Sequence, residues 1–177
     1  HVVSFTTTTG LINDDAGKWP HVTWVALAVC MFFGACSGST SGGLKCIRGV
    51  MLLKTVKNEV KKMLHPNAVL PMRIDGVNVP TDKRLTLLSF LTVYLILSLV
   101  CSFTMIAAGI DSTNSITITL SCLGNVGPTL GLEIGPTMSW SILPDYAKWI
   151  CTILMLIGRL EIFTVLVIFT REFWKES

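Results

Sequence analysis

The sequence predicts an all-α membrane protein with re-entrant loops and a broken transmembrane helix, and three observations predict it. The first is composition: 51% of the 177 residues are hydrophobic and 14% charged, with a mean hydropathy of +0.64, more apolar and less charged than a soluble domain. The second is a pair of long apolar segments, Leu85 to Ala108 and Ile150 to Thr170. The third is the placement of glycine-rich stretches, Gly34 to Gly43 and Leu123 to Gly131, between apolar segments. Irregular backbone at membrane depth survives only if it is buried in protein or lines a water-filled cavity, because lipid offers its peptide groups no partners. A loop whose carbonyls face a wet pore meets that condition, which is how carbonyl-lined ion filters are built.

The chain begins at His1 in a Ser/Thr-rich run, without an initiating Met, a signal-peptide pattern or a targeting segment, and reads as the later part of a longer protein. Thr6 to Leu11 runs small polar residues into Gly10 and then an apolar residue, as does Asn125-Val126-Gly127-Pro128. Aligning Thr8-Thr9-Gly10-Leu11 with that stretch superposes the two glycines. After each glycine comes a turn-rich acidic passage (Asn13, Asp14, Asp15 and Gly17; Glu133, Gly135, Pro136 and Asp145), then a tryptophan-marked entry into an apolar helix (Trp19 and Trp24; Trp140 and Trp149). The pattern is an internal repeat with a period of a little over a hundred residues.

Val22 to Ala35 is apolar for only about fourteen residues, too few for the ~20 that a spanning helix needs. Leu44 to Leu53 resumes the apolar pattern, with Lys45 and Arg48 inside it. The two together read as one transmembrane helix broken by Gly34-Ala35-Cys36-Ser37-Gly38-Ser39-Thr40-Ser41-Gly42-Gly43. Each glycine costs a helix about 1 kcal/mol relative to alanine, and the serines and threonine compete for backbone hydrogen bonds. A phosphate-binding loop does not fit: counted from Gly38, Gly43 is in place but Leu44 stands where the lysine belongs.

From Lys45 to Arg84 the chain carries Lys45, Arg48, Lys54, Lys57, Lys61, Lys62, Arg73, Lys83 and Arg84 against Glu59, Asp75 and Asp82, which marks a cytoplasmic connection. Met51 to Leu64 reads as the helix running into the cytosol, ended by His65-Pro66. Asp75-Gly76 between short alternating runs is a hairpin signal. The lysine spacing would also suit nucleic acid, but a juxtamembrane basic stretch that fixes topology is the commoner arrangement, and no nucleic-acid partner is expected. Leu85 to Ala108, roughly two dozen residues at about 1.5 Å each, spans the ~30 Å hydrocarbon layer.

Ile110 to Asn114 returns the chain at the outer face. Ser115 to Leu123, roughly 14 Å long at about 1.5 Å per residue, dips into the membrane without crossing it. Its C-terminal end delivers carbonyls and the negative end of a helix dipole, which favours a cation. Asp14, Asp15, Asp111, Glu133 and Asp145 then fall outside, diluted by Lys18 and Lys148; they form either a cation-concentrating mouth or a plain solvated rim. Arg159, inside the second span, costs roughly 2.5 to 3.5 kcal/mol at mid-membrane and so must face protein or a wet cavity. Glu161 lies on a different helix face, and the expected partners of Arg159 are the carbonyls and hydroxyls of the broken helix. Arg159 is either a helix staple or a positive charge below a cation filter.

Six cysteines (Cys30, Cys36, Cys46, Cys101, Cys122, Cys151) show no CxxC pair and read as buried free thiols, not as a disulfide framework or zinc site. An intramembrane enzyme is disfavoured, because His1, His21 and His65 lie at or outside the membrane edges and no Ser/Lys or paired-Asp arrangement occurs within a span. A coupled secondary transporter holding a substrate at the midplane between broken helices is the alternative reading; saturation by an organic solute would favour it.

Thr6 to Leu11, Gly34 to Lys45, Leu123 to Pro128 and Gly158-Arg159-Leu160-Glu161-Ile162-Phe163, in this order and over essentially the whole chain, closely resemble the TrkH type of the Trk/Ktr/HKT potassium transporters. The resemblance implies a protein of four membrane-pore-membrane repeats. Residues 1–64 would be the end of the third repeat, 65–84 a cytoplasmic connection, and 85–177 the fourth repeat. It further implies that carbonyls of Thr8, Thr9, Gly10, Leu11, Asn125, Val126, Gly127 and Pro128 line half of a filter holding K+, the transported ion. The loop with Gly34, Gly38, Ser39, Thr40, Gly42 and Gly43 would be an intramembrane gate beside Arg159. The family works as a homodimer in the cell (inner) membrane on a cytosolic ring of nucleotide-binding regulatory subunits; nothing in this chain binds nucleotide, and no cofactor is expected in it. Each filter loop keeps one aligned glycine instead of the TVGYG of tetrameric potassium channels, which leaves sodium passage open.

Overall fold

The computed structural model describes residues 1–34, 36, 42–65, 72–74, 77–131, 135, 139–160, 162–169 and 173–174. Helices make up most of it: α1 (Val2–Thr6), α2 (His21–Phe32), α3 (Cys46–Leu64), α4 (Thr81–Ala107), α5 (Ser112–Gly124), α6 (Asp145–Arg159) and α7 (Ile162–Ile168). Two short ladders join them. Strands β1 (Phe33–Gly34) and β2 (Leu44–Lys45) pair in parallel, Phe33 with Leu44 and Gly34 with Lys45. Strands β3 (Arg73–Ile74) and β4 (Val77–Asn78) pair antiparallel about Asp75-Gly76, which lie outside the described residues.

Helix α2 follows Pro20, which fixes the entry dihedrals, and ends where Phe33 turns extended. Trp24, Leu27 and Met31 occupy one buried face at helical spacing, with Val22, Val25 and Val29 on the other. The parallel ladder brings the chain back beside its own exit point, so the segment between Gly34 and Leu44 is a closed excursion. Helix α3 then runs to Leu64; Lys61 and Lys62 stand in its last turn, where cations complement the dipole.

Helix α4, entered through Pro80 with Asp82 in its first turn, is long and apolar enough to cross a membrane. Only 22% of its most apolar stretch is buried, which separates it from the core helix of a water-soluble protein. Its start, Thr81, precedes the expected Leu85 because lysine and arginine side chains do not oppose helix where their stems can reach polar surroundings. Helix α5 also begins earlier than expected, at Ser112 instead of Ser115. The Asp111 carboxylate accepts hydrogen bonds from the backbone N–H groups of Thr113 (3.0 Å) and Asn114 (3.4 Å), and this N-cap converts the expected turn into a first helical turn.

The expected span over Ile150 to Thr170 contains two helices, α6 and α7, on either side of residues 160–161, which together are apolar enough to count as one candidate span. The interruption falls where the sequence combines Gly158, a poor helix residue, with the charge of Arg159, which an unbroken apolar helix would carry into lipid.

The centre is α5. Nine of its thirteen residues, from Asn114 to Gly124, are buried among α4, α6 and α2. Ile118, Cys122 and Leu123 share a core with Tyr94, Met105, Ala147, Cys151 and Leu154. Three of its hydroxyls are satisfied locally, those of Ser115, Thr117 and Thr119 donating to carbonyls of Asp111, Thr113 and Ser115, whereas Asn114 Oδ1 is buried with no hydrogen-bond partner among the described residues. In a membrane such contacts rest on close packing of small residues and not on exclusion of water. A second core of Phe5, Ala16, Leu27, Met31, Val126 and Leu130 links α1 and α2 to the chain that leaves α5.

Candidate ion pathway and gate

Two loops follow the C-termini of α1 and α5, and they are built alike. After α1, Thr8 takes a left-handed conformation (φ 54°) and Gly10 another (φ 76°); after α5, Asn125 (φ 53°) and Gly127 (φ 102°) do the same. The caps agree as well. Thr8 N–H donates to Phe5 O (3.4 Å) and Thr9 N–H to Ser4 O (3.0 Å), while Asn125 N–H donates to Cys122 O (3.2 Å) and Val126 N–H to Ser121 O (3.0 Å). Each pair is a Schellman cap, which uses up two helix-end carbonyls and turns the chain sharply out of the helix axis. Downstream, each loop leads into a short 3-10 helix, Ala16–Lys18 or Trp140–Ile142, then a proline, Pro20 or Pro144, and a long apolar helix.

The two loops meet. A Cβ at Gly10 would lie 2.7 Å from the Val126 carbonyl oxygen and 3.5 Å from Pro128 Cδ, so glycine is required there by contact as well as by dihedral angle. Behind the second loop, Val126, Thr129 and Leu130 are buried, and Ser121 Oγ accepts from Gly127 N–H at 3.1 Å. In front of it, Gly127 is exposed, with open space where a side chain would stand. Leu11 is exposed on the first loop.

The excursion between α2 and α3 touches the same place. Gly34 is buried, and its carbonyl accepts from Cys46 Sγ (3.1 Å). Gly42 lies directly against the end of α5: a Cβ there would sit 2.7 Å from Gly124 O and 3.1 Å from Asn125 Nδ2. Gly43 rests over the Met31 and Phe32 carbonyls, each 3.4 Å from where its Cβ would be. Gly38, Ser39 and Thr40 lie outside the described residues. On the other side of α5, a Cβ on Gly158 would collide with the Leu123 carbonyl oxygen and lie 2.8 Å from Asn125 Nδ2. Asn125 Nδ2 donates to Met155 O (3.1 Å), tying the second loop to α6. Arg159 is exposed at the last position of α6, one residue beyond that contact. The structure therefore gathers the second loop, the re-entry point of the Gly/Ser excursion and the end of the Arg159 helix around one helix terminus.

The acidic residues are engaged locally. Asp14 accepts from Trp19 Nε1 (3.1 Å) and Asp15 N–H (2.9 Å), Asp15 faces Lys18 (3.7 Å), Asp145 pairs with Lys148 (3.0 Å), and Asp111 caps α5; Glu133 lies outside the described residues. Among the described residues no group of three or more His, Cys, Asp or Glu could hold a metal ion. Sequence reasoning missed Ser121, the side-chain role of Asn125 and Gly158. The only signal for Gly158 was a glycine beside a charged residue in an apolar helix, and for Ser121 a hydroxyl preceding the loop by six residues.

Comparison with known proteins gives concordant results. The family model described as "TrkH: Cation transport protein" matches residues 1–176. The Trk system potassium uptake protein TrkH of Halomonas elongata is 39% identical over 175 residues, 99% of this chain and 36% of that protein. The protein of the same name from Escherichia coli K12 is 37% identical over 175 residues, again 99% of this chain and 36% of that protein. The crystal structure of the potassium transporter TrkH from Vibrio parahaemolyticus superposes with a TM-score of 0.88 at 35% identity, covering 98% of this chain and 36% of that one. The chain thus spans about a third of the length of these relatives. With a helical membrane architecture shared with that transporter and a family match over nearly its whole length, the chain belongs to the TrkH cation transport family.

Proposed function

We propose that this chain supplies two ion-facing loops and the gate of a potassium uptake protein, with carbonyls of Thr8 to Leu11 and of Asn125 to Pro128 as its share of the filter. The observation that carries the reading is the repeated backbone: left-handed residues at Thr8 and Gly10, and at Asn125 and Gly127, in two loops that touch. In an extended strand successive carbonyls point to opposite sides. Inserting a left-handed residue at every second position turns them toward one side, the arrangement a row of ion ligands needs. Partly dehydrated K+ replaces its lost water with such carbonyls. Helix α5, about 20 Å long at ~1.5 Å per residue, is too short to cross the ~30 Å hydrocarbon layer and acts as a re-entrant pore helix whose C-terminal dipole end favours the cation.

Below the filter, the broken passage from α2 to α3 is the gate. Its re-entry residues Gly42 and Gly43 pack on the end of α5, and Arg159 stands beside it as a positive charge on the ion's path. Because the chain covers a third of its relatives' length, the complete filter takes loops from the rest of the protein. By the family resemblance the full protein acts as a multi-pass homodimer in the cell (inner) membrane with a cytosolic nucleotide-binding regulatory subunit; the names of the relatives support potassium uptake as its activity.

The test is ion flux through the full-length protein in proteoliposomes. Uptake of K+ or Rb+ that exceeds Na+ uptake and is unaffected by organic solutes is the expected result; saturable uptake of an organic solute would replace this reading with the coupled-transporter one.

A further inference from the structure

Away from the ion path, Lys54, Lys57 and Lys61 line one side of a cleft of about 320 Å³ with Asn58, and Met72 and Arg73 of the hairpin line the other. The lysines stand three and four residues apart, on one face of α3. The hairpin is held by Lys54 Nζ, which donates to Arg73 O (2.8 Å), and by buried Met72, whose sulfur lies 3.5 Å from Thr55 Oγ1; that hydroxyl donates to Met51 O (2.8 Å). Arg73 Nε donates to Asn78 Oδ1 (3.1 Å), which fixes the guanidinium at the rim. Neither Lys57 nor Lys61 has an ion-pair partner among the described residues. Glu59, two positions from each, projects to another face of the helix. Among the described residues the cleft is therefore lined by no acidic side chain, and buried Met72 forms its apolar part.

Its depth follows from the packing of α3 on α4. Arg48 lies over the Phe90 ring at 4.2 Å, and Met51 lines a neighbouring cleft with Lys83 and Leu87, so the two helices run in opposite directions in that register. Lys54 then falls level with Lys83 and Arg84, where the apolar part of α4 begins. At ~1.5 Å per residue, Lys57 lies roughly 5 Å and Lys61 roughly 10 Å farther toward the cytosol. The headgroup layer is roughly 5–7 Å thick on each side of the hydrocarbon, so the Cα of Lys57 lies within it, and Lys61, just beyond it, reaches back with its flexible stem. Arg84 Nη2, donating to Val79 O (3.4 Å), holds the end of the hairpin at the same level. Beside the lysines, Leu53, Val56, Val60 and Met63 form an exposed apolar stripe at helical spacing.

We propose that this cleft binds the phosphodiester headgroup of an anionic phospholipid on the cytosolic leaflet, with Lys57, Lys61 and Arg73 as its cationic contacts. The assignment rests on the membrane orientation proposed above. Lysine ammonium groups meet a phosphate as point charges, and the arginine adds a planar fork at the rim. A zwitterionic lipid brings its own cation into the same pocket and is disfavoured.

The test uses the full-length protein, titrated in detergent with phosphatidylglycerol, with phosphatidylcholine and with inorganic phosphate, bound species being counted by native mass spectrometry. Phosphatidylglycerol is expected to bind preferentially, and the Lys57→Gln/Lys61→Gln variant to lose that preference by roughly ten-fold. Lys62→Gln, outside the cleft, should leave it unchanged. Equal binding of the two lipids, an unaltered preference in the double variant, or the same loss in Lys62→Gln would overturn the site. Binding of inorganic phosphate with no preference between lipids would assign the cleft to a soluble anion and overturn the lipid. Rb+ flux measured on the same wild-type preparation tests the transport reading separately, since that flux does not depend on which lipid occupies the cleft.

Discussion

Gly158 has no room for a side chain, because the carbonyl of Leu123 already occupies the place where its Cβ would be. Gly158→Ala must push α6 away from the end of α5, and overpacking of this kind costs typically 1–3 kcal/mol; a lowered thermal unfolding midpoint of the purified full-length protein is the expected outcome. Asn125 separates two roles that one residue carries here, a left-handed backbone and a tether to Met155 O. Asn125→Gly keeps the first and removes the second. It should leave the unfolding midpoint nearly unchanged while lowering the K+/Na+ flux ratio, whereas Asn125→Val, whose β-branched side chain strains a positive φ, should reduce protein yield as well. How far these residues were legible in the sequence depends on what they contact. Gly10 and Gly127 stood out as glycines in polar runs. Gly158 and Gly42 are needed because of a partner more than thirty residues away, and that partner is invisible until the chain is folded.

At the scale of elements, apolar length and charge asymmetry were sufficient to find α4 and α3, because lipid and water impose those patterns directly, and the Asp75-Gly76 turn signal was sufficient to find the β3–β4 hairpin. Boundaries set by capping were less legible. Ile110 to Asn114 read as an outer-face turn, yet Asp111 starts α5 by accepting two backbone N–H bonds; Asp111→Ala should cost about 0.5–2 kcal/mol, seen as a lower unfolding midpoint without a change in flux ratio. The break after Arg159 was missed for a different reason. Hydropathy counts a window and overlooks a single glycine-and-charge interruption, so α6 and α7 read as one span. Arg159 now ends a helix beside the re-entry of the Gly/Ser excursion. If it forms a barrier there, Arg159→Ala in the full-length protein raises conductance without stimulation; equal or reduced conductance would make it a structural staple.

For the whole molecule, the repeated unit of helix, Schellman cap, left-handed pair, 3-10 helix, proline and interrupted helix explains why one chain presents two loops that meet. The sequence carried this repeat in Thr8 to Leu11 and Asn125 to Pro128 through the aligned glycines Gly10 and Gly127, both left-handed, whereas the left-handed Thr8 opposite Asn125 bore no such mark. It did not reveal that the Gly/Ser excursion, the Arg159 helix and the second loop converge on the end of α5, since that convergence is a property of packing. Under the proposed function, it makes α5 the element through which a change at the gate would reach the filter. The central claim, that the exposed backbone around Gly127 ligates the ion, is tested most directly by the K+/Na+ flux ratio of the full-length Gly127→Ser protein in proteoliposomes. A side chain strains the left-handed backbone at φ 102° and turns a carbonyl out of the row. The account predicts a ratio several-fold below wild type with uptake retained; an unchanged ratio at unchanged uptake would contradict it.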